Sequence, residues 1–507
     1  MCEIILLSLD YLNKLSMPLP DWALKFREPK TEIKFIGNGY YKYAVEYRYN
    51  PSKKRTDKVT GILLGKITEQ DGFIVSDKHQ IRSMMVDAQI DIRNYGVYKL
   101  FSNLLEDEMN ALRLLFPAKD CELLFCFAMY RWAHNSPIKR VPEYYRRDFC
   151  AQEFGVATVS DKAISATLKF FGEQRARVVQ WMSSLLGQTA QEFAQYVMMD
   201  STHVQSKSDL MGINARGYNP DFNFDKQIRL MYLFSAQRQS PVYYRLINGN
   251  IPDSKSMALC LEEMNMKNVI YIADKGFYSK QNTARMKELG LQYIVPLQRN
   301  NKLIDYKPLK KADFKKKLHY FIYNKRVIWC YTYQIDGEPL ITFLDESLRA
   351  REEADYAERV GSHPESHTKE KFLSKLTAFG TLTFTYQTET EKNFEEIYCA
   401  YKQRNEIETM FDSYKNFLSA DAMHMQDRYV TEGWLLANFL AMRAYQKLFI
   451  RLKEKNKLNK YSPKDIIEIS KSIHKMKINE KWKLSEMSKK TQQLFKDIQI
   501  DYLNERS

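Results

Sequence analysis

The run NVIYIADKGFYSKQNTARMKELGLQYIVPL (268–297) decides how the chain is read. NVIYIAD is short and apolar up to its closing acid, so it reads as a central strand buried on both faces. SKQNTARMKELG has helical spacing and is closed by Gly290, and LQYIVPL is a further strand. Upstream, YVMMDST (196–202), IRLMYLF (228–234) and VYYRLINGN (242–250) read as three strands in series, and DSKSMALCLEEM (253–264) as a helix. Three strands followed by alternating helix and strand make a mixed α/β sheet flanked by helices.

Outward from this core the pattern changes. Residues 33–75 alternate and are rich in Tyr, Val and Ile, and NPSKKRTDK reads as a hairpin tip loaded with cations. They belong to an N-terminal, hairpin-containing region, 1–96. Residues 97–195 have helical periodicity, with basic pairs at 139–140 and 146–147, and read as a helical region. After the core segment 196–298 comes a β-rich insertion, 299–391, in which RVIWCYTYQI and EPLITFL are separated by the turn DG. Helical patterns return over 392–450, the second part of the core. The tail, 451–507, has 15 Lys and Arg against 8 Asp and Glu and is expected to be basic and helical.

Composition narrows the partner. In 507 residues there are 77 Lys and Arg against 62 Asp and Glu, a net charge of +15, with 33 Tyr. Such a balance suits a partner carrying many phosphates, although an anionic membrane surface or a merely basic enzyme fits too. Seven cysteines do not suggest a disulfide framework, and Cys121 and Cys126 in CELLFC read as buried thiols. His363 and His367 read as part of a solvated loop rather than a metal site. The start, MCEIILLSLDYL, lacks the basic region of a secretory signal, and the apolar stretch 433–449 is interrupted by Arg443 and Lys447. No membrane association and a reducing compartment are expected.

Asp200 and Asp274 both follow apolar strand runs and are expected to emerge at strand ends. Two carboxylates brought close repel each other unless a cation lies between them, and hard oxygen ligands at such a site point to Mg²⁺. In EEIYCAYKQRNEIETMFDSYKNFL (395–418), Tyr401, Arg404, Glu408 and Lys415 fall within a sector of roughly 60° if the segment is one α-helix. Ile407, Met410 and Tyr414 lie on the neighbouring face. Taken alone, Arg404 and Glu408 have the i,i+4 spacing of a simple surface ion pair.

Together, strand Asp, strand Asp and helix Glu resemble the DDE transposases of bacterial insertion sequences. Tyr401-x2-Arg404-x3-Glu408-x6-Lys415 matches the Y-(2)-R-(3)-E-(6)-K signature of one branch without a gap. ADKGFYS resembles that branch's second-acid motif, and MDSTHV its first. The resemblance implies an RNase H-like core over 196–298 and 392–450, split by the β-rich insertion. It implies that Asp200, Asp274 and Glu408 are catalytic and hold two Mg²⁺ ions, with Mn²⁺ able to substitute. It further implies DNA contacts from Tyr401, Arg404 and Lys415, DNA contacts from region 1–96, a DNA-binding role for the helical region 97–195, and cut-and-paste transfer through hairpin ends. A hairpin step needs a flipped base, for which Phe277 and Tyr278 are candidate contacts, with core burial the competing reading. The partners would be double-stranded DNA, as terminal inverted repeats and target, and a second copy of the chain on paired ends. The setting would be the bacterial cytoplasm, at the nucleoid. A structure-specific nuclease on the same core and a non-catalytic DNA-binding derivative stay open as other readings.

Overall fold

Alternation of Tyr, Val and Ile with charges folds the first region into an antiparallel meander. In the computed structural model it consists of β1 (Thr31–Ile36), β2 (Gly39–Asn50), β3 (Arg55–Thr68) and β4 (Gly72–Val75). The residues described are 19–77, 79, 90–156, 158–187, 195–217, 225–251, 253–264, 269–311, 313–388, 393–420, 422–478, 481–500 and 502. The chain divides into two units, Met1–Asp91 with Met476–Lys483 and Ser507, and Ile92–Lys475 with Leu484–Arg506.

After β5 (Asp91–Asn94) and a run of helices, the second unit forms its main sheet. Its first five strands are β6 (Gln195–Ser206), β7 (Gln227–Ser235), β8 (Ser240–Asn248), β9 (Val269–Ala273) and β10 (Gln292–Pro296). They lie in the order β8-β7-β6-β9-β10. The β6–β7 and β7–β8 pairs are antiparallel, and β6–β9 and β9–β10 parallel. This is the strand order of an RNase H-like core. Every residue of β9 and β10 is buried, as an apolar run without alternation requires.

The insertion lengthens this sheet. β11 (His319–Tyr323), β12 (Arg326–Ile335), β13 (Glu338–Asp345) and β14 (Thr381–Gln387) continue it, with β14 antiparallel to β10. β15 (Ala422–Met423) pairs parallel to β6 at Gln205 and Ser206. The tail departs from the all-helical expectation. Between the helices Pro463–Lys471 and Lys489–Asp497 lie β16 (His474–Ile478) and β17 (Lys481–Leu484). Lysine alternates there with Met, Ile, Trp and Leu, a period of two that a count of charges does not reveal.

The helices of 97–187 are no separate body but pack within the second unit. The long helix Arg428–Glu454, capped by the Asp427 carboxylate, lies against Asp161–Glu173 and Ala118–His134. Glycines set the first of these approaches. A Cβ on Gly433 would lie 2.0 Å from the Leu168 carbonyl oxygen, and one on Gly172 2.0 Å from that of Tyr429. Arg443 on the same helix is buried and meets the buried Glu108 at 2.6 Å, with Lys447 at 2.8 Å from it. Burial alone would raise the Glu108 pKa, but these two cations hold it below its usual value. Cys121 and Cys126 are buried free thiols.

Candidate active site

The two aspartates come together through strand register. β6 and β9 run parallel, with Met199 opposite Ala273, so the next residues, Asp200 and Asp274, leave the pair side by side. Neighbouring strands are about 4.8 Å apart, which brings the two carboxylates into one locality. β9 ends at this point because the Asp274 carbonyl accepts from Phe277 N–H at 2.9 Å, starting the 3-10 turn Lys275–Phe277. Asp274 is therefore a strand-end acid, as expected. Asp200 is not. β6 continues to Ser206, because β7 stays paired with it to Gln205 and β15 joins it at Gln205. Asp200 lies instead where the β9-side edge of β6 loses its partner.

The third acid arrives on a segment that is not one helix. Phe394–Lys402 and Asn405–Asp412 are separate α-helices, and Ser413–Phe417 is a π turn. Packing explains the changes of pitch. Met410 is buried, Phe411 packs on Tyr232 of β7 with ring centroids 5.7 Å apart, and Phe417 packs on Tyr445 at 4.7 Å. The single face drawn through Tyr401, Arg404, Glu408 and Lys415 consequently breaks. The first three stay together. Lys415 lies in the π turn, half-buried, and is not among the ion-pair partners of the acids. The side chains of Ile407 and Tyr414 lie outside the described residues.

Arg404 ties the parts together. Its Nη1 donates to Asp274 Oδ1 at 2.9 Å and to Tyr401 Oη at 3.3 Å, while its Nη2 donates to Glu408 Oε1. The i,i+4 pair foreseen from spacing exists, but the same guanidinium spans 130 residues of chain to reach the second acid. Burial works against the Arg404 charge. Even so, the Asp274 carboxylate, then Tyr401, and more weakly Asp200 hold its pKa above the ordinary value. Tyr401 is shifted up by burial, with Arg404 opposing, and its ring packs edge-on against Phe384 of β14 at 4.8 Å. The Arg404 Nε is buried with no hydrogen-bond partner among the described residues. A buried unpaired donor beside clustered acids can take a further acceptor.

Hard carboxylate oxygens are suitable donors for Mg²⁺ or Mn²⁺. In this arrangement, however, Arg404 occupies one oxygen of Asp274 and one of Glu408, and no group of three or more His, Cys, Asp and Glu among the described residues is placed to hold a metal ion. The donor chemistry fits a divalent ion, and the present pairing neutralises the acids by a guanidinium instead.

Phe277 is 2% exposed and Tyr278 packs on Leu297, Leu303 and Leu340, so both serve the core here. Sequence reading passed over Arg229 on β7, whose Nη1 donates to Ser201 Oγ at 3.3 Å beside the first acid. The available signal was a lone charge inside the apolar run IRLMYLF.

Two acids on neighbouring parallel strands and a glutamate docked on them through arginine lie within residues 192–443, the stretch that matches the family model described as Transposase DDE domain. The chain carries a transposase DDE domain. Similar solved structures include a piggyBac transposase synaptic complex with hairpin DNA, at 8% identity and TM-score 0.36 over 69% of this chain and 70% of that one. Another is the Mos1 transposase paired-end complex with the left transposon end, at 16% identity and TM-score 0.15 over 34% and 57%. No curated protein matched this chain in the comparison.

Proposed function

We propose that this chain is the transposase of a bacterial insertion sequence, cutting the element's DNA ends and joining them to a new site. The observation that carries the proposal is that Arg404 joins Asp274 and Glu408, with Asp200 beside Asp274 on the neighbouring strand, inside the DDE domain. With the acids released from Arg404, they would hold two divalent ions, Mg²⁺ or Mn²⁺, which supply an activated hydroxyl and stabilise the leaving oxygen.

The chain's own groups do the positioning. Arg404, with its unpaired Nε, is suited to a phosphate oxygen, where a fixed cation stabilises charge developing in transfer. The Tyr401 hydroxyl, already in hydrogen-bond range of that guanidinium, is a second donor to the same backbone. Lys415, in the neighbouring turn, is assigned to a phosphate further along the strand. The reading extends to cut-and-paste movement through hairpin ends, with terminal inverted repeats and target duplex as substrates, two copies on paired ends, and the bacterial cytoplasm as the setting. No helix among the described residues is long and apolar enough to cross a membrane.

The test is a cleavage and strand-transfer assay, with Mg²⁺, on duplexes carrying the inverted repeats that flank the gene. Wild type should cut and join. Asp200→Ala, Asp274→Ala and Glu408→Ala should each lose both steps while keeping end binding. Cutting without joining would favour a nuclease, and binding without cutting a non-catalytic derivative.

A further inference from the structure

In the N-terminal unit, β2 and β3 outgrow their sheet. β1 pairs with β2 only as far as Ala44, and β4 with β3 only over Gly65–Thr68. The Val45 N–H still bonds the Lys30 carbonyl at 2.8 Å, and from Glu46 opposite Val59 to Asn50 opposite Arg55 five residue pairs form a ribbon with no third strand among the described residues. At about 3.4 Å per residue it extends roughly 17 Å, with no strand paired to either edge among the described residues. A free ribbon of this kind is marginally stable and exposes strand edges, so a partner is expected to cover it.

The two faces differ. One carries Glu46, Arg48, Asn50, Arg55, Asp57 and Val59, and its charges satisfy one another. Arg48 pairs with Glu46 at 2.8 Å, Arg55 with Asp57 at 3.0 Å, and Asn50 donates to Asp57 at 2.8 Å. The other presents Tyr47 opposite Lys58 and Tyr49 opposite Thr56, the two tyrosines 62% and 63% exposed. At the tip, Lys53 and Lys54 follow Pro51 and Ser52. Lys53 reaches Asp57 only at 3.7 Å, and Lys54, at φ +49°, takes part in no ion pair among the described residues. Between Val45 and Thr60 there are five cations and two acids.

We infer that this ribbon is a DNA-binding arm that lies in a groove of duplex DNA with its Tyr47–Tyr49 face inward and its Lys53–Arg55 tip on the phosphates. Two strands about 4.8 Å apart with their side chains span roughly 10 Å, and the major groove, about 12 Å wide, admits a two-stranded ribbon. Phenol rings give contact area against sugars and base edges, and their hydroxyls donate or accept there. The tip cations give the sequence-independent grip. The inference rests on the transposase reading only for the choice of DNA as partner.

The experiment measures binding of the full chain to a labelled mixed-sequence duplex by fluorescence anisotropy over a salt series. Lys53→Ala/Lys54→Ala/Arg55→Ala should weaken binding and shallow the log–log salt slope by about two to three. Tyr47→Ala/Tyr49→Ala should weaken duplex binding about tenfold, with the slope nearly kept. Tyr47→Phe/Tyr49→Phe, which preserves the strands, should recover part of that loss, so misfolding is not mistaken for lost contact. Wild-type affinity and slope in both the tip and the tyrosine-to-alanine variants would overturn the arm and leave the transposase reading standing. So would loss of binding to phosphatidylserine vesicles with duplex binding intact. Failure of the wild-type chain to bind duplex at all would instead strike the transposase reading itself.

Discussion

Arg404→Ala should tighten the binding of a divalent ion to the apo protein while removing strand cleavage. The guanidinium contacts Asp274 at 2.9 Å, pairs with Glu408, and lies within electrostatic reach of Asp200. An ion that takes these carboxylates must first separate them from Arg404. Two unit charges about 4 Å apart attract by roughly 4 kcal/mol at an effective dielectric constant of 20. The side chains of Arg404 and Asp274 are 21% and 26% exposed, and Glu408 is half-exposed, so solvent takes up a large share of that. A net gain of about 1.4 kcal/mol, or about tenfold in affinity, is the expected size. Mn²⁺ titration followed by electron paramagnetic resonance and by calorimetry, without DNA, gives the constant directly, with Asp274→Ala as the control that loses binding. An arginine that served only to dock the Glu408 helix would give the opposite sign. Mn²⁺ affinity equal to or weaker than wild type in Arg404→Ala, with native circular dichroism, would refute the reasoning.

Gly433→Ala should destabilise the fold by about 1–3 kcal/mol or more, because its methyl group would press on the Leu168 carbonyl at the helix crossing; an unchanged urea midpoint would count against that packing. Asp148 is buried and its pKa is pushed up to about 7, with a Cys150 N–H bond opposing. Since the folded state keeps a proton that the unfolded chain loses near pH 4, stability from this group should fall as pH rises from about 4 through about 7. Asp148→Asn should flatten that part of the curve, and an identical pH slope in the variant would exclude Asp148 as its source. The strand-transfer complex should contain two chains on two ends, measured by mass in solution, because a symmetric pair is the commonest way to present two identical sites. Complete transfer by one chain on one end would contradict it.

Local signals made much of the fold legible. VIYIA has no polar alternation and forms a central strand, and the acid after it stands at the strand end. The spacing of Tyr401, Arg404 and Glu408 likewise put Arg404 in reach of both others, because the turn joining the two helices keeps backbone bonds from Arg404 N–H to the Tyr401 carbonyl and from Glu408 N–H to the Arg404 carbonyl. The single-helix premise does not extend to Lys415, which lies in the π turn. The segment 395–418 contains no Gly or Pro to announce a break, and its changes of pitch accompany Phe411 and Phe417 packing on residues far away in the chain.

The sequence by itself determined which residues are acids on strands, which segment brings the glutamate, and that the chain as a whole is basic. Those properties depend on side-chain chemistry and on periods of two and 3.6, which a chain carries locally. Only the tertiary structure decided that Asp200 lies within a strand rather than at its end, since β7 and β15 hold β6 extended beyond it. It also decided that Arg404 bridges Asp274 and Glu408, and that β2 and β3 project as a pair beyond their sheet. Each of these depends on where a strand or side chain finds its partner. That is settled by register and packing between distant segments, which no local pattern encodes.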